Sequence, residues 1–207
     1  MFPLLSRELR RKAFHITGSL IPVGYYFVTK ETALILLSFV NVILLLAEWL
    51  RLIGKIKLPQ ILLRPHEEKK VAAYIYFQMA ALFSILVFDK TIAIAALLML
   101  ALGDTASGLA GAMMNGGNIR NNGAKNRVKP IPIMAVMFSV CVLVGLALLS
   151  LPLAPDMTKL SFGVYAAGAL GATLGDAVPV RIMGRQVDDN LMIPLLAGAF
   201  MTASGFI

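Results

Sequence analysis

Seven apolar stretches, at about 14–29, 32–50, 71–88, 91–114, 131–151, 159–176 and 190–206, follow one another along this chain with charged or turn-forming connections between them. A helix of about 20 apolar residues crosses the roughly 30 Å hydrocarbon core of a bilayer, and few other folds accommodate such a pattern. Charged residues make up 14% of the 207 and apolar ones 58%, against about 25% charged in a soluble domain. The expected fold is all-α: a polytopic integral membrane helix bundle of about seven transmembrane helices, forming one domain over residues 1–207 with the N-terminus cytoplasmic. Arg7, Arg10, Arg11 and Lys12 ahead of the first stretch resemble a secretory signal. No small-x-small cleavage site follows, so a retained first helix is expected. The single cysteine, Cys141, lies in an apolar run and excludes an intrachain disulfide.

Orientation follows from charge. Placing successive connections on alternate sides gathers sixteen of the 19 Lys and Arg residues on one side and leaves Lys30, Lys90 and Lys159 on the other. By the positive-inside rule the richer side is cytoplasmic, with an odd number of spans and an outer C-terminus. Each outer lysine is matched by an acid, Glu31, Asp89 or Asp156, so the outer connections carry no net charge. Glu8, Glu48, Glu67, Glu68, Asp104, Asp176, Asp188 and Asp189 fall on the inner side, several at span ends. Any chemistry is expected there.

Asp104 stands out among these acids. It follows the uncharged stretch from Thr91 to Leu102 and opens the small-residue segment GDTASGLAG. On a helix entering near Lys90, a rise of about 1.5 Å per residue places it about 21 Å deep, nearer the far side. An ionised group at that depth faces a watery cavity, a metal or a partner, or else is a neutral Asp hydrogen-bonded between helices. Gly103, Ser107 and Gly111 recur every four residues, a spacing that lets another backbone, a nucleotide or a lipid headgroup come close. Arg120, Lys125, Arg127 and Lys129 follow in a loop that could neutralise phosphates, although it is no Walker A motif.

Leu102-Gly103-Asp104 is echoed by Leu174-Gly175-Asp176, in a span running the same way. Asp176 lies about 25 Å along its helix from Lys159, so the two carboxylates are expected at similar depths. Paired carboxylates suit magnesium, which takes one or two of them and completes its shell with water and phosphate oxygens. Asp188-Asp189-Asn190 then form a polar turn where Asn190 is a candidate helix cap. Near the start, Glu8, Arg11, Lys12 and His15 share one helical face that could hold a phosphate. Glu48 next to Trp49 and Arg51 is either an interfacial anchor or a headgroup contact, and His66-Glu67 stands out in a loop of mixed charge.

ELRRKAFH, HEEKK, GDTASGLAG, the basic loop, and GD followed by DDNLMIPLLAG occur in an order that resembles the CTP-dependent polyprenol kinase family, which includes dolichol, phytol and CTP-using diacylglycerol kinases. The resemblance runs from Glu8 to Gly198 and implies phosphoryl transfer from CTP to a membrane lipid alcohol, with Mg2+ as cofactor and no nucleic-acid partner. By position, Arg11, Lys12 and His15 match the family's Arg-Lys-x-x-His, Glu67 its His-Glu pair, Asp104 its Gly-Asp, and Asp189 with Asn190 its Asp-Asn before Pro194. The chain departs from the family at Lys125-Asn-Arg-Val-Lys129-Pro130, where a Lys-Ser-x-Glu-Gly-Ser-like segment is usual, and at Asp176, where Glu is common.

These readings give a set of expected roles. Asp104, Asp176 and Lys129 are the catalytic candidates, and Asp104 and Asp176 the magnesium ligands. Arg11, Lys12, His15, Arg120, Lys125, Arg127, Lys129, Asp189 and Asn190 are the nucleotide-binding candidates, while Glu48, Glu67 and Ser107 meet the lipid headgroup. Asp104 is also a candidate acceptor of the hydroxyl proton. A membrane cytidylyltransferase using the same CTP, and a small transporter with Asp104 as an ion relay, remain open, as does assembly into a homo-oligomer.

Overall fold

Why the helices begin where they do is visible in their caps. In the computed structural model, which describes residues 12, 15–57, 70–114, 128–182 and 185–205, α1 spans Leu20–Phe27 and α2 spans Lys30–Leu52. The Thr29 hydroxyl accepts the Thr32 N–H at the start of α2 (3.3 Å), supplying one of the donors a helix N-terminus leaves open. Helix α3 runs Ala73–Val87 and α4 Lys90–Leu98, continuing through a π-helical turn, Met99–Gly103, into α5, Asp104–Met114. Helix α6, Ile131–Ser150, starts on Pro130 with Pro132 in its first turn, where a missing N–H carries no penalty. Helix α7, Phe162–Ala177, is capped by Ser161, and α8, Asp189–Gly205, closes the order. Between α7 and α8, Arg181–Ile182 (β1) and Arg185–Gln186 (β2) form a two-rung antiparallel ladder. The described residues are otherwise helices and connections, as the hydropathy predicts.

Each expected apolar stretch coincides with a helix, and three of the helical segments are long and apolar enough to cross a membrane: Lys30–Leu52, Lys90–Met114 and Ile131–Ser150. They occupy different places in the bundle. The apolar window of Lys90–Met114 is 72% buried and that of Lys30–Leu52 only 17%, so the first is the central rod and the second lies at the periphery with most of its surface outward. Ile92 to Leu97 are buried without interruption, as expected of a helix that is apolar all round. Around this rod Met137 and Cys141 of α6, Ala169 and Ala172 of α7, and Ile193, Ala197 and Met201 of α8 complete the core.

Small residues set the helix spacing, though not where the sequence suggests. A Cβ on Gly103 would come within 2.7 Å of Met137 Sδ and 2.8 Å of Cys141 Sγ, so that glycine admits side chains of α6 rather than a backbone. The backbone approach is between α7 and α8 instead. A Cβ on Gly171 would lie 2.5 Å from the Leu196 carbonyl oxygen, and one on Gly175 2.9 Å from Ile193 Cα. That contact brings the end of α7 against the start of α8, and so Asp176 against the Asp188-Asp189-Asn190 turn.

The connections assigned to one side do meet at one end. Lys90, buried at the start of α4, donates to the Val28 (2.9 Å) and Pro155 (3.1 Å) carbonyls and lies 5.5 Å over the Tyr25 ring centroid. Lys30 donates to the Phe88 carbonyl at 3.1 Å. Thr91 and Thr158 exchange two hydrogen bonds of 2.9 Å through the Thr91 hydroxyl, and the Tyr26 hydroxyl donates to the Pro152 carbonyl at 2.8 Å. Lys30 and Lys90 are therefore held by main-chain carbonyls, not by the acids that balance them in the charge count.

Candidate functional site

At the other end, the π turn delivers Asp104 to the bundle interior. A π turn holds one more residue than an α turn, and here its carbonyls are used locally. Leu100 O accepts the Asp104 N–H, Ala101 O accepts the Thr105 hydroxyl at 2.6 Å, and Cys141 Sγ lies 3.8 Å from Met99 O. Asp104 is buried at the first position of α5. Its Oδ2 accepts from Lys12 Nζ at 2.6 Å, and the same ammonium donates to the Asp104 main-chain carbonyl at 2.6 Å. His15 Nε2 stands 3.3 Å from that Oδ2, with the imidazole edge-on to Phe77, centroids 5.1 Å apart.

Asp176 is reached from the far end of α7. Its Oδ1 accepts from Lys129 Nζ at 2.6 Å, and Lys129 is fixed in turn by its backbone N–H donating to the Ala177 carbonyl at 3.1 Å. The carboxylate side chain is 0% exposed and the lysine 30%, so the cation reaches in from the rim to a fully enclosed acid. Burial by itself lowers the lysine's proton affinity, but Asp176, Asp104 and Asp189 together outweigh it and hold Lys129 above the usual lysine range.

The third acid is Asp189, at the first position of α8. Carboxylate oxygens of Asp104, Asp176 and Asp189 all lie within 4.8 Å of one another. Asp188, not Asn190, caps this helix: its Oδ1 accepts the Asn190 N–H at 3.0 Å. Asn190 is buried, its amide 3.4 Å from the Ala73 carbonyl, which ties the start of α8 to the start of α3. Pro194 lies four residues on and offers no N–H to the Asn190 carbonyl.

Asp176 Oδ2 is buried and has no hydrogen-bond partner. Leaving such an oxygen without a donor is expensive, and a cation is the natural complement. Oxygen ligands of this kind, close together and anionic, are what magnesium takes, with its remaining positions left to water and phosphate. The residues present fit that ion. Lys12 and Lys129 stand beside it as charges suited to phosphate oxygens.

Six of the sequence candidates are thus brought together: Lys12, His15, Asp104, Lys129, Asp176 and Asp189, with Asn190 beside them. Ser107 is buried one turn beyond Asp104, its hydroxyl 3.4 Å from the Asp104 carbonyl. Glu48 belongs to a separate network, accepting from Arg51 (2.8 and 2.6 Å), the Ala72 N–H (2.8 Å) and the Tyr74 hydroxyl (2.8 Å). Arg11, Glu67, Arg120, Lys125 and Arg127 lie outside the described residues. The sequence reading places Asp189 among the nucleotide contacts and does not place its carboxylate with those of Asp104 and Asp176, because an acid next to a cap reads as part of the turn. Its signal was a run of three polar residues that exceeds what one cap requires.

The helical fold and the carboxylate cluster define a class: an apolar helix bundle with membrane-length helices and a buried acidic site at one end. No protein-family model, curated protein or solved structure matches this chain.

Proposed function

We propose that this protein is a multi-pass membrane enzyme that transfers the γ-phosphoryl group of CTP to a lipid alcohol, giving a lipid monophosphate and CDP. The single observation that carries the reading is the convergence of three aspartates within 4.8 Å, one with a buried oxygen lacking any donor, flanked by two lysines. Such an arrangement pairs a divalent cation with phosphates, and phosphoryl transfer is catalysed mainly by positioning and charge neutralisation. The family resemblance supplies CTP and the alcohol.

In this reading seven spans lie in the bilayer, α4 and α5 forming one of them, and the site faces the cytoplasm, on the side where Lys and Arg concentrate. Asp104, Asp176 and Asp189 hold magnesium, which supplies charge stabilisation for the phosphates when bound. Lys129, kept protonated by its acidic neighbours, binds a phosphate oxygen, with Arg11, Arg120, Lys125 and Arg127 as further phosphate contacts. Asp104 also accepts the proton of the lipid hydroxyl, and Ser107 and Glu67 line the headgroup. Burial of the acids excludes water from competing with the alcohol.

A transporter needs a path to both faces, and the net of hydrogen bonds around Lys90 at the opposite end speaks for closure there. A cytidylyltransferase would use the same site and attack the α-phosphate. Incubating purified protein with CTP, magnesium and a panel of prenols, diacylglycerol and phosphatidate separates the reactions: CDP with a lipid monophosphate is expected. Pyrophosphate with a CDP-lipid would overturn the kinase reading.

A further inference from the structure

The two acid–lysine pairs of the site differ in a way that bears on how a metal enters. Lys129 occupies Oδ1 of Asp176 and leaves Oδ2 open. Lys12 occupies Oδ2 of Asp104 and, through a second bond, the main-chain carbonyl of the same residue. A divalent cation placed between the aspartates meets an unpaired oxygen on Asp176, but on Asp104 it meets a carboxylate that already holds an ammonium at 2.6 Å. Two cations on one carboxylate repel strongly in a buried site.

Resting on the magnesium reading above, we propose that Lys12 is an exchangeable counter-ion. It holds Asp104 while the site lacks a divalent cation and transfers to a phosphate oxygen when a metal–polyphosphate complex enters, so metal and anion bind together and each binds poorly alone. Charge supports this. Three aspartates against Lys12 and Lys129 give the group a formal charge of minus one, and a divalent cation alone turns it to plus one. A polyphosphate anion then restores the balance, and Lys12 is the cation released to meet it. An ammonium on a four-carbon stem, with three rotatable donors, suits such a transfer better than the rigid fork of an arginine.

The test reads binding, not turnover. Mn2+ uptake is followed by electron paramagnetic resonance with purified full-length protein in lipid nanodiscs, and labelled CTP and labelled pyrophosphate are titrated at fixed Mn2+. Lys12→Met is expected to bind Mn2+ alone about tenfold more tightly than wild type and both anions about tenfold more weakly, as removal of one charge within contact distance implies. A merely structural role weakens both. Unchanged or weaker Mn2+ binding by Lys12→Met overturns the proposal. Wild type offers a check that needs no variant: inorganic phosphate should tighten Mn2+ uptake about tenfold, and no effect overturns the idea. Stronger uptake of CTP than of pyrophosphate assigns the anion to a nucleotide and equal uptake to the polyphosphate alone; either carries the proposal, and uptake of neither overturns it. Wild type that takes up no Mn2+ with or without anion removes the magnesium reading as well. Mn2+ uptake lost in Asp176→Asn but indifferent to Lys12 removes only the exchange.

Discussion

The two ends of the bundle treat their lysines differently. At one end Lys30 and Lys90 donate to main-chain carbonyls of Phe88, Val28 and Pro155. At the other, Lys12 and Lys129 each face an aspartate whose neighbours are further aspartates. A carbonyl in a helix connection belongs to the fold and has no alternative ligand. A carboxylate among carboxylates can trade one cation for another. The first kind of lysine closes a structure, and the second marks a site. The same contrast separates two acids: Glu48 is saturated by Arg51, Ala72 and Tyr74, whereas Asp176 keeps one oxygen unsatisfied.

The contrast breaks most sharply if the unsatisfied acid proves dispensable. Asp176→Asn and Asp104→Asn should each lower CTP-dependent lipid phosphorylation about a thousandfold, with normal membrane insertion; activity per folded molecule close to wild type in either would refute the assignment. Next in size is Glu48→Gln, which leaves Arg51 buried beside a neutral partner and should lower stability by about 3 kcal/mol. Thermal unfolding reads that loss, while activity per folded molecule stays unchanged. Lys90→Met should cost about 1–3 kcal/mol by stranding two carbonyls, again without a catalytic effect. If instead it lowers turnover of folded protein, the closed end is part of the machinery.

The smallest effect concerns pH. The pKa of Lys129 is raised above its ordinary 10.5, so its stabilising pairing is complete below that value and is lost only as pH rises through the higher folded value. Labelled pyrophosphate binding at fixed Mn2+ should show no loss traceable to this residue from neutral into mildly alkaline solution. A fall at neutral pH that Lys129→Arg abolishes would contradict it.

Much of the architecture was legible because the signal is additive. Over a stretch such as 131–151, twenty apolar residues outvote any local ambiguity, and the helix Ile131–Ser150 follows. The site was legible one residue at a time: Asp104 by its place in an apolar run, Asp176 by the repeated Gly-Asp, Lys12 and His15 by their spacing. Their pairing was not. Which lysine meets which acid depends on the rotation of four separate elements, and Lys12 lies 92 positions from Asp104. Nor did composition disclose that Gly175, rather than Gly103, meets a backbone, because glycine reads the same beside a side chain as beside a main chain.

The π turn at Met99–Gly103 has a bearing on how insertions and deletions would be tolerated along the central rod. Each residue of an α-helix advances the side chains by about 100°, and the wider turn absorbs one surplus residue without disturbing the phase on either side. Removing a residue from this turn would let an ordinary helix form with Asp104 still turned inward. Removing one from Ile92–Leu97 would swing either the buried apolar face or the carboxylate through that angle. The rod therefore has a slack point immediately before its most consequential side chain, and an unforgiving register everywhere above it.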